Sequence, residues 1–191
     1  MRVTYNTLAT NECAVTYYPC QEPDGRGAVG RGTATGEPIM GMYYEEFEEG
    51  LAFVTARRVV TEADVRGFAE LSGDRNLIHL DAAAAIQAGF DRPVAHGALG
   101  LAVATGLANQ LGLTRGTLVA LLGVNWRFRA PIHYGDTVRL HLRVAGRRAT
   151  GNPGRGVVTL AAELRNQRDE VTQEGEFIEL IVRRPQTAEP S

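Results

Sequence analysis

Lysine is absent from this chain of 191 residues, in which all 20 basic side chains are arginine. This absence excludes a lysine Schiff base and the lysine of a P-loop nucleotide site. The formal net charge is only −2, so no overall field attracts nucleic acid or an anionic membrane. We therefore expect ligands to be recognised locally, and we expect neither nucleic acid nor a membrane as a partner.

Cysteine and long hydrophobic runs are also scarce. Cys13 and Cys20 are the two cysteines, which allow neither a disulfide framework nor a zinc site built from paired CxxC motifs. A reducing, cytoplasmic setting is therefore expected. No basic segment followed by an apolar run opens the chain, so no signal peptide is expected. The longest strongly apolar stretch, residues 98–108, is about half the length that spans a bilayer.

The composition changes near residue 40. Residues 1–40 are rich in Gly, Pro and small polar residues without a sustained period, which predicts a flexible extension. Residues 41–184 have the patterning of one globular domain, and residues 185–191 are expected to form a loose tail.

Helix and strand signals follow in a definite order. Residues 53–60 predict a strand, and the segment after Thr61 predicts a helix that Gly73 ends. Asp81 is interpreted as the N-cap of a short alanine-rich helix that Gly89 closes. Residues 94–112 are apolar on nearly every side, which predicts a long helix surrounded by protein.

Strand-like runs dominate the rest of the chain. They occupy residues 117–129, 136–144, 156–165 and 174–182, with turn-rich pieces between them. Strands and helices do not alternate, so a doubly wound parallel sheet is not expected. The order predicts an α+β domain in which one central helix precedes an antiparallel sheet.

The stretch SGDRNLIHLD, residues 72–81, places Asp74 and His79 five residues apart. In a helix these side chains would point about 140° apart, and in a strand they would lie on opposite faces. Only a turn brings them together, and Ser72, Gly73 and Asn76 favour turns. Each of these residues alone is more often a turn-former, but together they indicate a loop that carries an acid, an amide and a base.

Three segments together resemble one known family. FAELSGDRNLIHLD, GFDRPVAHGALGLAVATGL and FRAPIHYGDTV match the MaoC-like and (R)-specific enoyl-CoA hydratase family in order and spacing, and the resemblance covers residues 43–183. The family motif D-x-N-P-x-H-x-D fits Asp74, Asn76, His79 and Asp81, while Leu77 replaces its proline.

The resemblance implies a single hot-dog fold, in which an antiparallel sheet wraps around one long helix, and a homodimer or higher homo-oligomer joined edge to edge. It implies reversible hydration of a trans-2-enoyl thioester to an (R)-3-hydroxyacyl thioester. No metal or redox cofactor is expected, since coenzyme A or a carrier-protein arm is part of the substrate. Acyl chain length and the physiological direction of the reaction stay open.

The resemblance also implies roles for particular residues. His79 is the expected general base for water, because an imidazole titrates near neutral pH. Asp74 is expected to hold the same water and to return a proton to the α-carbon, and Asn76 is expected to orient the water or the pair. The backbone N–H of Gly97 is the expected oxyanion donor. Thr105 is a weaker candidate for a hydrogen bond to Asp74.

Other interpretations accompany these roles. A hot-dog acyl-CoA thioesterase and a non-catalytic acyl-thioester-binding subunit are the alternative functions. His96 is interpreted as helix-entry packing or a bond to backbone, and a metal site made of His79, Asp81 and His96 is not expected because their spacing is not that of a helical metal motif. Two arginines fit either the phosphates of coenzyme A or a solvated strand face: Arg127 and Arg129.

Overall fold

The computed structural model describes residues 15–17 and 40–185. Four helices are present in the described residues: α1 (Glu62–Ser72), α2 (Leu77–Leu80), α3 (Ala82–Gln87) and α4 (Gly97–Gln110). Seven strands accompany them: β1 (Val15–Tyr17), β2 (Ala52–Val54), β3 (Arg58–Val59), β4 (Leu118–Phe128), β5 (Thr137–Ala149), β6 (Arg155–Arg165) and β7 (Val171–Val182). A short 3₁₀ turn, Tyr44–Glu46, precedes β2.

The strands form one sheet in the order β1-β2-β5-β6-β7-β4, with β3 pairing separately with β5. Every described pairing is antiparallel except that of β1 with β2. The predicted α+β class, with one long helix and an antiparallel sheet, is therefore confirmed. β4 is an end strand of the sheet and pairs only with β7 among the described strands.

The core lies between α4 and the inner face of the sheet. Val103 and Leu107 of α4 are buried, and they belong to the same cluster as inward-facing side chains of β5, β6 and β7. Leu140, Leu164 and Ile181 have no exposed surface. Because alternate residues of a strand share one face, this burial defines which positions of the sheet face α4.

The predicted helix boundaries around residues 73–81 are confirmed. The Thr61 side chain accepts a hydrogen bond from the N–H of Asp64, and Gly73 ends α1 with φ of 75°. Asp81 caps α3 by accepting from the N–H of Ala84. Gly89 follows α3 with φ of 92°, a conformation that glycine adopts without strain.

The single strand predicted over residues 53–60 is wrong in its continuity. Three residues separate Val54 of β2 from Arg58 of β3, but only two separate their partners on β5, His141 and Val138. The extra residue interrupts the ladder as a β-bulge does, which divides the run into β2 and β3.

Two further segments differ in detail from the sequence prediction. The predicted loop after Gly73 contains one turn of helix, α2. The predicted extension contributes β1, which lies beside β2, while the rest of residues 1–39 and the tail beyond residue 185 lie outside the described residues. The described helices include none that is long and apolar enough to cross a membrane.

Candidate active site

Asp74 lies directly after α1 in a tight local turn. Its backbone N–H donates to Oγ of Ser72 at 3.2 Å, and its Oδ1 accepts from the N–H of Asn76 at 3.2 Å. These bonds offer the chain a turn in place of further helix. The side chain is 53% exposed, so a ligand in solution can reach the carboxylate.

His79 lies on α2 and is held in one tautomer. Its side chain is 11% exposed, and Nδ1 lies 2.7 Å from the carbonyl oxygen of Val94. A carbonyl oxygen only accepts hydrogen bonds, so Nδ1 carries the proton and donates it. In the neutral ring the lone pair is therefore on Nε2, which makes that nitrogen the basic one.

The basic nitrogen faces the carboxylate. Nε2 of His79 and Oδ2 of Asp74 are 4.0 Å apart, which is too long for a direct hydrogen bond. A water about 2.8 Å from each atom spans that separation with an angle of roughly 90° at its oxygen. The structure thus brings Asp74 and His79 together across a gap that fits one water.

His96 packs against both members of this pair. Its ring lies 3.8 Å from the ring of His79, centroid to centroid, and its Nε2 is 2.9 Å from the carbonyl oxygen of Asp74. The interpretation of His96 as a bond to backbone is therefore confirmed. Nδ1 of this buried ring has no hydrogen-bond partner among the described residues.

Three side chains here have potential metal-ligand atoms within 4.8 Å of one another: Asp74, His79 and His96. An imidazole binds a metal in the plane of its ring, and the two rings are inclined by only 30° in a stack. Nε2 of His96 donates to the carbonyl oxygen of Asp74, so only Nδ1 of that ring has a free lone pair. Asp81, which the sequence placed in a possible metal set, instead caps α3.

The N-terminus of α4 begins beside the stacked rings, because Gly97 directly follows His96. No side chain caps this helix, so its first N–H groups and the positive end of its dipole are available to an anionic group. A Cβ on residue 97 would lie 2.9 Å from Cε1 of Phe128, closer than such contacts allow. Glycine avoids this contact, which any other residue would relieve only by displacing the exposed ring of Phe128.

Gln173 of β7 fixes the position of this helix end, and the sequence did not single it out. Its Nε2 donates to the carbonyl oxygen of Gly97 at 3.1 Å, and its Oε1 accepts from Nε1 of Trp126 at 2.8 Å. A Cβ on Gly100 would lie 2.1 Å from Gln173 Nε2, so α4 needs a glycine there too. Gln173 lies in the polar start of β7, VTQEGE, so the sequence gives no signal that its amide is buried.

Asn76 and Thr105 do not join the pair directly. Oδ1 of Asn76 accepts from the N–H of Ile78 at the start of α2, which leaves its amide N–H groups as the donors for any ligand. The hydroxyl of Thr105 donates to the carbonyl oxygen of Ala102, and the residue is eight positions along α4 from Gly97, about 12 Å at 1.5 Å per residue. It lines a separate cavity with Glu179.

Arg127 in β4 and Arg129, just after β4, lie on the outer surface. Arg129 forms an ion pair with Glu174, and Arg127 borders a shallow depression with acidic neighbours on β6 and β7. These contacts fit the solvated-face interpretation better than a phosphate site, because the nearby carboxylates would repel an anion.

Comparisons with known proteins place these features in a family. The family model described as a MaoC like domain matches residues 47–166. The chain is 35% identical over 106 residues to a 3-hydroxybutyryl-CoA dehydratase of Methylorubrum extorquens, covering 54% of this chain and 64% of the relative. It is 37% identical over 86 residues to an (R)-specific enoyl-CoA hydratase of Aeromonas caviae, covering 45% and 63%.

The similar part thus spans less than two thirds of either relative. Among solved structures, a MaoC-like dehydratase from Rhodospirillum rubrum superposes with a TM-score of 0.70 at 28% identity, covering 76% of this chain and 99% of the other. The sheet that surrounds α4 is accordingly a hot-dog fold, as the resemblance implied. Because the family model spans most of the chain, this protein belongs to the MaoC-like dehydratase family.

Proposed function

We propose that this protein reversibly hydrates a trans-2-enoyl thioester to an (R)-3-hydroxyacyl thioester. The observation that carries the proposal is the pair of Asp74 and His79. The bond from Nδ1 to Val94 leaves Nε2 as the base, and Nε2 lies 4.0 Å from Asp74 Oδ2, across a gap that fits one water. A water polarised by a base and a carboxylate is the nucleophile that this reaction requires.

The proposed steps balance without a cofactor. Nε2 of His79 takes a proton from the water as the hydroxyl adds to the β-carbon, and the alkene electrons move onto the thioester oxygen. The N–H of Gly97 and the helix dipole stabilise the resulting enolate. His79 then passes that proton to the Asp74 carboxylate, which gives it to the α-carbon, so both side chains return to their starting states and the net change is the addition of water. The exposed amide of Asn76 orients the water.

The substrate class is supported by the names of two relatives, a 3-hydroxybutyryl-CoA dehydratase and an (R)-specific enoyl-CoA hydratase. Coenzyme A or a carrier-protein arm is the thioester handle and belongs to the substrate. The reaction is redox neutral and uses no metal in these steps.

The direct test follows the loss of the conjugated thioester absorbance when purified protein is mixed with crotonyl-CoA. Asp74→Asn and His79→Gln should each remove the activity. Asp81→Asn is a matched control, because it makes the same charge change seven positions along the chain from Asp74 and asparagine also caps helices. Activity that survives both catalytic substitutions would contradict the assigned mechanism.

The same reagents separate the alternatives. Release of free thiol from a saturated acyl-CoA would identify a thioesterase. Tight binding of acyl-CoA with no change to enoyl or hydroxyacyl thioesters would identify a binding subunit. Comparing crotonyl-CoA with a crotonyl carrier protein would show which handle the site prefers.

We also propose that the protein is a homodimer joined along β4. The free edge of β4 has unpaired backbone groups among the described strands, and its apolar side chains are exposed. They are Leu118, Val119, Leu121, Leu122, Val124 and Phe128. A long apolar edge strand is a template for pairing with another strand, and an identical edge supplies a symmetric partner.

Light scattering after size exclusion tests the dimer. The expected mass is twice 20.7 kDa. Leu122→Arg should give a monomer, whereas Arg127→Glu near the end of the same strand changes charge on the outer surface and should leave the dimer intact. A monomeric wild-type protein would overturn this part of the proposal.

A further inference from the structure

Glu179 occupies a core-facing position on β7. Its neighbours two residues away on either side, Phe177 and Ile181, are 2% and 0% exposed and belong to the core. Side chains two apart in a strand share a face, so the carboxyl group of Glu179 points inward as well. Departures from the apolar pattern of an inner face are expected at functional sites, because a buried carboxyl is otherwise costly.

The carboxyl group opens into a cavity of about 130 Å³ between α4 and the sheet. Most of the wall is apolar, and Glu179 is its only ionisable residue. The wall consists of Thr105, Ala108, Asn109, Leu113, Thr114, Leu118, Leu121, Leu142, Leu160, Phe177 and Glu179. An apolar wall with one carboxyl group suits an alkyl segment that carries a single polar group.

One oxygen of the Glu179 carboxyl group lacks a partner among the described residues. Its Oε2 is buried without a hydrogen-bond partner, and Thr105, which shares the wall, donates its hydroxyl to Ala102 instead. Burial raises the pKa of Glu179 to about 7, with no charged neighbour contributing. A carboxyl of this kind is protonated in a large part of the molecules at neutral pH, and it both donates to and accepts from a neutral hydroxyl group.

The cavity and the Asp74–His79 pair lie along the same helix. Gly97 begins α4 beside the pair, and Thr105 on the cavity wall is about 12 Å further along at 1.5 Å per residue. A thioester whose carbonyl oxygen contacts Gly97 would thus extend its distal carbons toward the cavity.

We infer, building on the proposed function, that Glu179 is a specificity-determining residue that selects acyl chains with a hydroxyl group near their distal end. The leucines and Phe177 contact the alkyl part of the chain, and the carboxyl group of Glu179 bonds the terminal hydroxyl. An unsubstituted alkyl chain of the same length leaves that carboxyl without a partner, which disfavours its binding.

The experiment compares ω-hydroxy-2-enoyl-CoA with plain 2-enoyl-CoA of equal length, over chains of about six to ten carbons to match the helix distance. For the wild-type protein kcat/KM should favour the hydroxylated chain about tenfold at the best length, as one hydrogen bond to a buried group provides. Glu179→Leu should reverse the preference. Glu179→Gln keeps a neutral hydrogen-bonding group of the same shape and should retain it.

Glu176→Leu is the matched control, because it removes a carboxyl from the opposite face of the same strand and should leave the ratio unchanged. Thermal melts of all variants report whether each is folded. Equal preference in the wild-type protein and Glu179→Leu, or a wild-type preference for the plain chain, would overturn the inference.

A second readout separates this inference from the proposed function. Calorimetry measures binding of saturated acyl-CoA and ω-hydroxyacyl-CoA, neither of which can be hydrated. A hydroxyl preference that depends on Glu179, in a protein without hydratase activity, would leave the inference standing and reject the proposed reaction. Hydratase activity without any preference for the hydroxyl group would support the proposed reaction and reject the inference about Glu179.

Discussion

The imidazole rings of His79 and His96 stack with their centroids 3.8 Å apart and their planes inclined by 30°. His79 is thereby held in two directions, by its bond to the carbonyl of Val94 and by the face of His96. His96 also bonds the carbonyl oxygen of Asp74, so one buried ring contacts both members of the proposed catalytic pair. We therefore expect His96 to act as a positioning residue.

Replacing His96 with phenylalanine tests the positioning role. The phenyl ring keeps an aromatic face against His79 and removes the unpartnered Nδ1, so the melting temperature should change little. The loss of the bond to the Asp74 carbonyl should lower kcat for crotonyl-CoA about 10- to 100-fold with little change in KM, because small misplacements of catalytic groups are costly.

His96→Gln supplies an amide donor in place of Nε2–H and should recover part of the lost kcat. Equal kcat in the wild-type protein and His96→Phe would show that the bond to Asp74 does not position the pair. A parallel fall in kcat and melting temperature would show a merely structural role.

Asp74 and His79 are expected to act on the same water. Asp74→Asn and His79→Gln should each lower kcat for crotonyl-CoA at least about 100-fold, in the range for loss of a general acid or base. The double variant should be barely worse than either single one, since groups that act as a unit are not additive. Steady-state rates of the three variants check this, and multiplicative losses would indicate independent roles.

Leu77→Pro is expected to be tolerated and to stabilise the loop slightly. Leu77 is the first residue of α2 and is 60% exposed, a position where proline is favoured and where an intrahelical N–H bond is not needed. Asn76 has ψ of 129°, within the range that a following proline requires. Urea unfolding should show a gain of about 0.5 kcal/mol with kcat retained.

Ile78→Pro, one position later, is the control for that change. The N–H of Ile78 donates to Oδ1 of Asn76, so proline there removes the cap of α2. This variant should lose both stability and activity. A loss of activity in Leu77→Pro as large as in Ile78→Pro would contradict the expectation that the loop already has the backbone geometry that proline favours.

Glu179 should make the protein less stable as pH rises. Its pKa is raised by burial from 4.5 to about 7, so the unfolded chain releases this proton first as pH increases. The stability of the folded state is therefore highest, with respect to this group, below about pH 4.5, and the free energy of unfolding declines between pH 4.5 and 7 by about 3 kcal/mol. Glu179→Gln should remove this decline.

Urea unfolding at pH 5 and pH 8 measures the effect. The stability difference between Glu179→Gln and the wild-type protein should grow toward pH 8, while Glu176→Gln on the outer face should follow the wild-type protein. Parallel pH profiles for the wild-type protein and Glu179→Gln would show that the carboxyl is already ionised when folded.

The sequence predicted the helix ends well, because helix caps depend on hydrogen bonds between residues that are close in the chain. Thr61 and Asp81 cap helices in the structure through short-range bonds that their spacing alone requires. The five-residue gap between Asp74 and His79 likewise indicated a turn. The break within residues 53–60 was missed because it depends on which residues of β5 lie opposite, and that pairing is not encoded in the run itself.

The rest of the site depends on contacts between distant parts of the chain. His96 contacts His79 from 17 positions away, and Gln173 bonds Gly97 from 76 positions away. Spacing along a single element cannot reveal such pairs. The prediction that α4 is surrounded by protein also needs a qualification, since Ala98 and Ala102 are exposed in one chain. An apolar sequence pattern predicts that a helix is buried, but it does not indicate whether the surrounding residues belong to the same chain or to another.

The bond between His79 Nδ1 and the Val94 carbonyl has a stereochemical consequence. With that nitrogen occupied and one ring face covered by His96, the imidazole can exchange protons only at Nε2, on the side of Asp74. Under the proposed chemistry, hydroxyl and hydrogen then reach the alkene from a single direction. Hydration in deuterated water should place deuterium at the α-carbon and the oxygen at the β-carbon on the same face, and a single diastereomer should form.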